Sequence, residues 1–348
     1  MAETQSRATT HQNRIDYVRD RMHNRLISTA EASAVSEAVV ERFRSTTSLR
    51  DPSRPFAVGN RNACRAVLVI GAYRSGKTFL VERAFRGLEK LTVGNQVISP
   101  KTVDVRAPSH FDMAGLGRSL LQAMELAPAR PLPPAQTMER VQRRLQLFQP
   151  SLIRIDEFQR TLYPTSVGLK RRDDERRHCW GHIQGILEDS AWPTPVILTG
   201  TPEILPVLET REMGFLRDRI ATTIHLRPMV TGATEDIHFL EDAVELFAEV
   251  AEIGCSFSAD EQLHPRLMLA SNFAKGLACE IIHEAILIAL RSGDRVLERE
   301  HFARFYAKKT GAAAAANPFV AHEWHRVDPT RLLAEDVAPG FGISEKHR

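Results

Sequence analysis

Gly71-Ala72-Tyr73-Arg74-Ser75-Gly76-Lys77-Thr78 is the stretch on which the fold turns. It fits the pattern G-x-x-x-x-G-K-[ST], and its flanks suit that pattern: an apolar run, Ala66–Ile70, precedes it, and a helical periodicity (Leu80, Val81, Ala84, Phe85, Leu88) follows. Each part has a physical task. The glycines let the backbone curl so that the N–H groups of Ala72, Tyr73, Arg74 and Ser75 can converge on phosphate oxygens. The helix that follows presents its positive N-terminal end to the same anion. Lys77 supplies a point charge for β- and γ-phosphates, and the Thr78 hydroxyl is a Mg²⁺ ligand by type.

Outward from this loop, Leu152-Ile-Arg-Ile-Asp156-Glu157 reads as a buried strand that delivers a carboxylate at its C-terminal end, where ligands sit in open α/β sheets. Asp156 is expected to hold Mg²⁺ through its water shell, and Glu157 to accept the proton of an attacking water. Arg154, inside that strand, either snorkels or marks a face that is not fully buried. Thr102–Arg106 reads as an additional strand between the phosphate loop and Asp156. Together with the Asp-Glu pair it points to the additional-strand class of P-loop ATPases. No N-K-x-D signal for guanine is present, so the expected nucleotide is ATP.

Two further stretches belong to the same sheet. Val196–Thr199 is a strand running into Gly200-Thr201-Pro202-Glu203, where Thr201 or Thr199 can sense a γ-phosphate; the same Thr201 also fits as the cap of a helix starting at Pro202. Thr222–Leu226 is the last strand, and Phe215-Leu-Arg217-Asp-Arg219 stands just before it. An arginine there lies across the sheet from its own nucleotide. In a ring or helical assembly it reaches the neighbour's γ-phosphate, with Arg219 the first choice and Arg217 the second. The expected fold is therefore α/β, a parallel five-stranded sheet of the AAA+ P-loop kind.

The composition agrees with a folded, soluble chain. Of 348 residues 43% are hydrophobic and 26% charged, with a formal net charge of +3 carried by eight lysines and 38 arginines. That balance requires any nucleic-acid surface to be a local patch. Four isolated cysteines and thirteen scattered histidines show no metal-ligand spacing. The polar N-terminus is unlike a secretory signal, and the interrupted apolar run Ile281–Leu290 is far short of the ~20 residues of a membrane span, so a cytoplasmic location is expected.

Four segments are expected: an N-terminal helical segment and linker (1–58, with the linker at SLRDPSRPF), the nucleotide-binding domain (59–230), a helical lid (231–310) and an extended tail (311–348). In the lid, Ile237, Leu240, Val244, Phe247 and Ala251 mark one helix, ended by Gly254. Leu277, Ile281, Ala285 and Ile288 mark a second, and Glu298–Lys309 a third. Lys275, just before the second, is the candidate for reaching the γ-phosphate from that lid.

The order of these parts resembles an AAA+ ATPase and, more narrowly, the TniB/TnsC family, the ATPase subunits of DNA transposition systems. The blocks that carry the resemblance are GAYRSGKTFLVERAF, LIRIDEFQ, PVILTGTPEIL, FLRDRI and NPFVAHEWHRVDP, scattered from about Asn60 to Asp328. The first two are general to the ATPase class; the others narrow it. Initiator-type and Mu-accessory-type ATPases share the logic. Leu169–Arg177 departs from the family's shorter connection and reads as a mobile, self-neutralising loop. The resemblance implies an ATP-dependent regulator that assembles on target duplex DNA as a homo-oligomeric ring or filament. It would bridge a TniQ-like target-selection protein and a DDE transposase, and ATP hydrolysis would disassemble it.

In Gln136–Gln149 an apolar stripe (Met138, Val141, Leu145, Phe148) is opposed by Arg140, Arg143 and Arg144, a candidate DNA face. The same arginines fit a solvated surface helix. Two other functions use the same loop: a nucleotide-gated signalling or defence switch that acts by protein binding without DNA, and a small-molecule P-loop kinase.

Overall fold

The computed structural model describes residues 2–93, 96–126, 130, 132–165, 168–255 and 262–333. They form two compact units, one of residues 30–227 and one that joins residues 1–29 to residues 228–348.

The first unit is built on a parallel sheet of five strands: β1 (Ala66–Gly71), β2 (Thr102–Arg106), β3 (Leu152–Asp156), β4 (Val196–Gly200) and β5 (Ile220–Leu226). Their spatial order is β2-β3-β4-β1-β5. Every residue of β1, β3 and β4 is buried, as continuous apolar runs require when helices cover both faces. The edge strands β2 and β5 alternate instead. On one face lie α2 (Ala30–Ser45) and α3 (Lys77–Arg86), whose Val35, Val39, Phe43 and Val81 pack on Val67, Val69 and Ile197. On the other lie α4 (Met113–Ala123), α5 (Pro134–Phe148) and α6 (Leu169–Leu187), where Leu116, Val141 and Trp180 pack on Leu68, Ile70 and Ile155. Register sets Arg106 beside Asp156 and Ile70 beside Gly200, which gathers the chemistry at the C-terminal edge.

The five strands match the sequence expectation to within a residue or two at their ends. Four expectations change. The segment 1–58 is divided, because α2 covers the sheet while the helix before it joins the other unit. The linker is folded down: Asn60 donates to the carbonyls of Asp51, Arg54 and Pro55 and accepts from the Asp51 amide, and Arg61 is buried over the Trp192 ring. Leu169–Arg177 is helix rather than loop, since its opposite charges fall at i,i+3 spacing (Arg176–Asp173 2.7 Å, Arg177–Asp174 3.9 Å). An antiparallel pair, Leu91–Val93 with Gln96–Ile98, was not foreseen; three-residue strands carry no readable period.

The second unit is helical: α1 (Ala2–His23), α7 (Thr234–Ala251), α8 (Leu263–Ala270), α9 (Lys275–Ser292) and α10 (Arg299–Thr310). Ile15, Val18 and Met22 of α1 enter its core beside Leu240, Phe247 and Ile282. α7 ends on Glu252 in the left-handed conformation (φ 56°), two residues before the expected Gly254. The expected tail does not begin as an extended chain. Asn317 Nδ2 donates to the Ala303 carbonyl at 2.9 Å, and Phe319, 2% exposed, lies 5.5 Å from the Phe302 ring and 6.2 Å from that of Tyr306. The buried Arg266 of α8 donates to the Pro318 and Ala321 carbonyls and lies over Trp324. The last part of the expected tail, 334–348, lies outside the described residues.

Among the described residues no helix is long and apolar enough to cross a membrane. The four cysteines are free.

Candidate nucleotide site

In the loop between β1 and α3, Arg74 (φ 61°) and Gly76 (φ 98°) take left-handed backbone conformations, and the Ser75 amide donates to the Ala72 carbonyl at 3.2 Å. Gly71 has no room for a side chain: a Cβ would lie 2.7 Å from Ser75 Oγ and 3.0 Å from Leu226 Cβ. Lys77 is buried, and its Nζ donates to the carbonyls of Gly71 (2.8 Å) and Ala72 (2.7 Å). Burial pushes its ammonium below the ordinary lysine value, while the Glu157 and Asp156 carboxylates hold it up. Tyr73 stands 65% exposed at the rim of the loop.

Thr78 and Asp156 meet at the head of α3. Thr78 Oγ1 donates to Asp156 Oδ2 at 3.0 Å, and Thr199 Oγ1 donates to the other carboxylate oxygen. The Glu157 amide also donates to Oδ1, at 3.0 Å. Burial pushes the Asp156 carboxyl up, but the bonds from Thr199 and Thr78, the Arg154 charge and the Glu157 amide outweigh it, and the net shift is down. Asp156 is thus an anion 2% exposed, with Arg106 Nη2 3.6 Å away at the end of β2. A hydroxyl and a carboxylate side by side are the hard oxygen donors that Mg²⁺ takes from a protein when phosphates and waters complete its shell. The donor set therefore fits that ion. Among the described residues no group of three or more His, Cys, Asp or Glu has metal-binding geometry.

Arg154 neither snorkels nor lies on an open face. It is buried with a partner for each nitrogen: Nε donates to Asp104 (2.7 Å), Nη2 to Glu82 (3.1 Å) and Nη1 to the Thr78 carbonyl (3.1 Å). It ties α3 to β2 and β3 and so fixes Thr78 against Asp156. Burial raises the Asp104 carboxyl, and Arg154 opposes that rise.

Glu157 follows Asp156 with a left-handed backbone (φ 57°), which turns its side chain out of the strand direction. Gln159 Nε2 donates to Glu157 Oε2 at 2.8 Å, and Arg160 Nε lies 3.8 Å from the same oxygen. At the end of β4 the two threonines are distinguished. Thr199 is spent on Asp156, whereas the Thr201 hydroxyl is buried with no hydrogen-bond partner. Thr201 is not a side-chain cap: the next helix, Ile204–Leu208, begins later, with no capping side chain.

Most of the remaining sequence-derived residues have the following partners. Arg219 pairs with Glu188 at the C-terminal end of α6 and is 36% exposed; Arg217 pairs with Asp218 at 3.5 Å. Lys275 lies in the helical unit, 3.3 Å from the buried Asp236 and over the Phe239 ring, and serves there as counter-ion to that carboxylate. On α5, Arg140 and Arg143 are exposed, with Arg143 paired to Glu139 at 2.6 Å. Arg144 leaves the stripe: it is half-buried and donates to the Met124 carbonyl at 2.8 Å, closing the end of α4. Sequence reasoning missed Arg106, Gln159 and Arg160. Arg106 was signalled only by standing last in a strand, and nothing in the sequence marks the two others.

The model of the AAA domain family matches residues 60–208, the part that holds the loop, Asp156, Glu157 and Thr201. No curated protein matches the chain in sequence. Among solved structures the chain is similar to the Aeropyrum pernix ORC1 protein in complex with DNA, at 16% identity and a TM-score of 0.54, over 81% of this chain and 65% of that one. It is similar to the Aeropyrum pernix ORC2 protein in its ADPNP–ADP complexes (13% identity, TM-score 0.50, 83% of this chain and 71% of that one). It is also similar to Drosophila ORC bound to DNA (12% identity, TM-score 0.50, 87% and 67%). The chain thus spans just under two thirds of the length of the first of these. At such identities the likeness defines the fold: an α/β AAA+ P-loop core with a five-stranded parallel sheet, followed by a helical region.

Proposed function

We propose that this chain is an ATP-hydrolysing AAA+ protein that works on duplex DNA as a homo-oligomer. The observation that carries the ATPase part of the reading is the convergence of Lys77, Thr78, Asp156 and Glu157 on one sheet edge, with the Thr201 hydroxyl buried and unpartnered beside them; the DNA and assembly parts rest on the resemblance. Lys77 exchanges its two loop carbonyls for β- and γ-phosphate oxygens. Thr78 and Asp156 would hold Mg²⁺, which would supply positive charge against the phosphates. Glu157 takes the proton as the water oxygen bonds to the γ-phosphorus and the bond to the β–γ bridging oxygen breaks. Thr201 donates to the γ-phosphate or orients that water. Arg219, half-buried against Glu188, leaves that partner on assembly and acts on the neighbouring subunit's nucleotide.

The finer reading is a regulator of DNA transposition that links a TniQ-like target-selection protein to a DDE transposase, with hydrolysis driving disassembly. It rests on the TniB/TnsC resemblance and accords with the DNA-bound ORC structures of the same fold. The DNA-free switch is favoured by one observation, the internal pairing of Arg143 and Arg144.

Anisotropy on labelled duplexes across a salt series, with ATP, separates the two. The DNA reading expects binding that needs ATP, ignores sequence and falls steeply with salt. Changing Arg140 and Arg143 to Glu lowers affinity for all duplexes alike, flattens the slope and leaves ATP affinity intact. No binding at low salt with ATP present refutes the DNA reading in favour of the switch.

A further inference from the structure

Gln159 stands two residues beyond the proposed general base and makes two contacts, one with each end of its side-chain amide. It is 4% exposed, in the 3₁₀ turn Phe158–Leu162. Its Nε2 donates to Glu157 Oε2 at 2.8 Å, and its Oε1 accepts the Thr201 amide at 3.3 Å. One planar amide therefore joins the carboxylate at the end of β3 to the backbone at the end of β4. Thr201 carries the buried, unpartnered hydroxyl of the site. The β4 side is shaped around this bridge. A Cβ on Gly200 would lie 2.9 Å from Gln159 Oε1, 3.3 Å from its backbone nitrogen and 2.4 Å from Ile204 Cδ1, so only glycine leaves the amide its place.

We infer that Gln159 is a positioning residue that couples the Glu157 carboxylate to Thr201, so that what Thr201 contacts determines where the base points. This inference rests on the ATPase reading above and specifies how its base is controlled. A glutamate has three rotatable bonds and no preferred aim. Here Arg160, at 3.8 Å, adds charge but no short directional bond. The amide supplies direction: its donor end fixes one carboxylate oxygen and leaves the other for a water. Its acceptor end transmits any displacement of the Thr201 backbone. A general base contributes about 10²–10⁴-fold, and a misplacement near 1 Å costs about 10²-fold, so the bridge governs turnover and not nucleotide binding.

The test uses the full chain and steady-state ATP turnover, nucleotide affinity, a pH profile and a thermal melt. Gln159→Leu removes both bonds at nearly constant volume; kcat is expected to fall about 10- to 100-fold with KM within about threefold. Gln159→Glu places a second carboxylate against Glu157. Ionised, it cannot donate; protonated, it donates to Glu157 and still accepts from Thr201. Its activity should therefore be low at neutral pH and recover in part as the solution is made acidic, whereas the parent only loses activity there. A residue with a merely structural role would not produce that inversion.

Gly200→Ala displaces the same amide from the other side. The double variant Gly200→Ala/Gln159→Leu should turn over no more slowly than the slower single variant, because one bridge is broken twice. Parental kcat in both Gln159 variants overturns the coupling. So does a fall in kcat that leaves the pH profile unshifted in Gln159→Glu, or strict additivity with Gly200→Ala. Lys77→Ala in the same assay keeps the two failures apart: turnover that survives it overturns the ATPase reading itself, whatever the Gln159 variants do.

Discussion

Replacing Phe319 by alanine tests the placement of the chain after Gly311, which sequence reasoning expected to be extended. The ring is 2% exposed, between Phe302 and Tyr306 in the core of the helical unit. Truncating a buried phenylalanine removes its transfer free energy and leaves a cavity, ~3–5 kcal/mol together. The unit comprises about 150 residues, residues 1–29 with 228–348. For that size each kcal/mol moves the midpoint by about 2–4 °C, so the melt should fall by about 6–20 °C. The flanking anchors, Asn317 on the Ala303 carbonyl and Arg266 on those of Pro318 and Ala321, stay in place and keep the loss local. Circular dichroism or calorimetry on the full chain reads the shift, with Leu332→Ala, 67% exposed, as a control that should stay within a degree or two. ATP affinity at 20 °C should be unchanged, because the phosphate loop belongs to the other unit. A midpoint within a degree of the parent would refute the docking of Pro318–Ala321 on α8 and α10.

Lys77→Ala should abolish ATP binding, while Glu157→Gln should bind ATP normally and hydrolyse it at least about 100-fold more slowly; parental turnover in Glu157→Gln, read by phosphate release, removes Glu157 as the base. Arg219→Ala should bind ATP yet hydrolyse it poorly, and mixing it with Lys77→Ala should restore activity, one protein supplying the site and the other the arginine. Full activity of Arg219→Ala alone excludes the role in trans. Burial, reinforced by His23, pushes His283 down to about 4, against Glu280 on its own helix, and its Nε2 has no hydrogen-bond partner beside the Phe247 ring. Its folded pKa lies below its unfolded value of about 6.5, so the unfolded chain binds more protons between the two. The helical unit should lose on the order of 1–3 kcal/mol as pH falls from about 6.5 to 4, and urea titrations of His283→Leu should lack that component.

The fold and half of the site were legible because they are local in the chain. The loop from Gly71 to Thr78 is a contiguous pattern set by backbone conformations that glycine permits. The strands read as apolar runs because helices on both faces bury most of their positions, and Asp156 and Glu157 are adjacent and so appear together. Other features depend on pairings the chain makes only when folded. Arg154 looked misplaced in a buried strand until Asp104, 50 residues earlier, and Glu82, from α3, met it. Thr199 and Thr201 could not be told apart in sequence; register across β3 and β4 gives one to Asp156 and leaves the other's hydroxyl unspent. Arg144 looked like its neighbours on the α5 stripe, but the end of α4 claimed it. The sequence by itself therefore determined the phosphate loop, the carboxylate pair and where the strands lie along the chain, each set by residues near one another in the chain. Only the tertiary structure decided which buried polar groups found partners, because those partners lie on other strands and helices and burial makes leaving them unpaired costly.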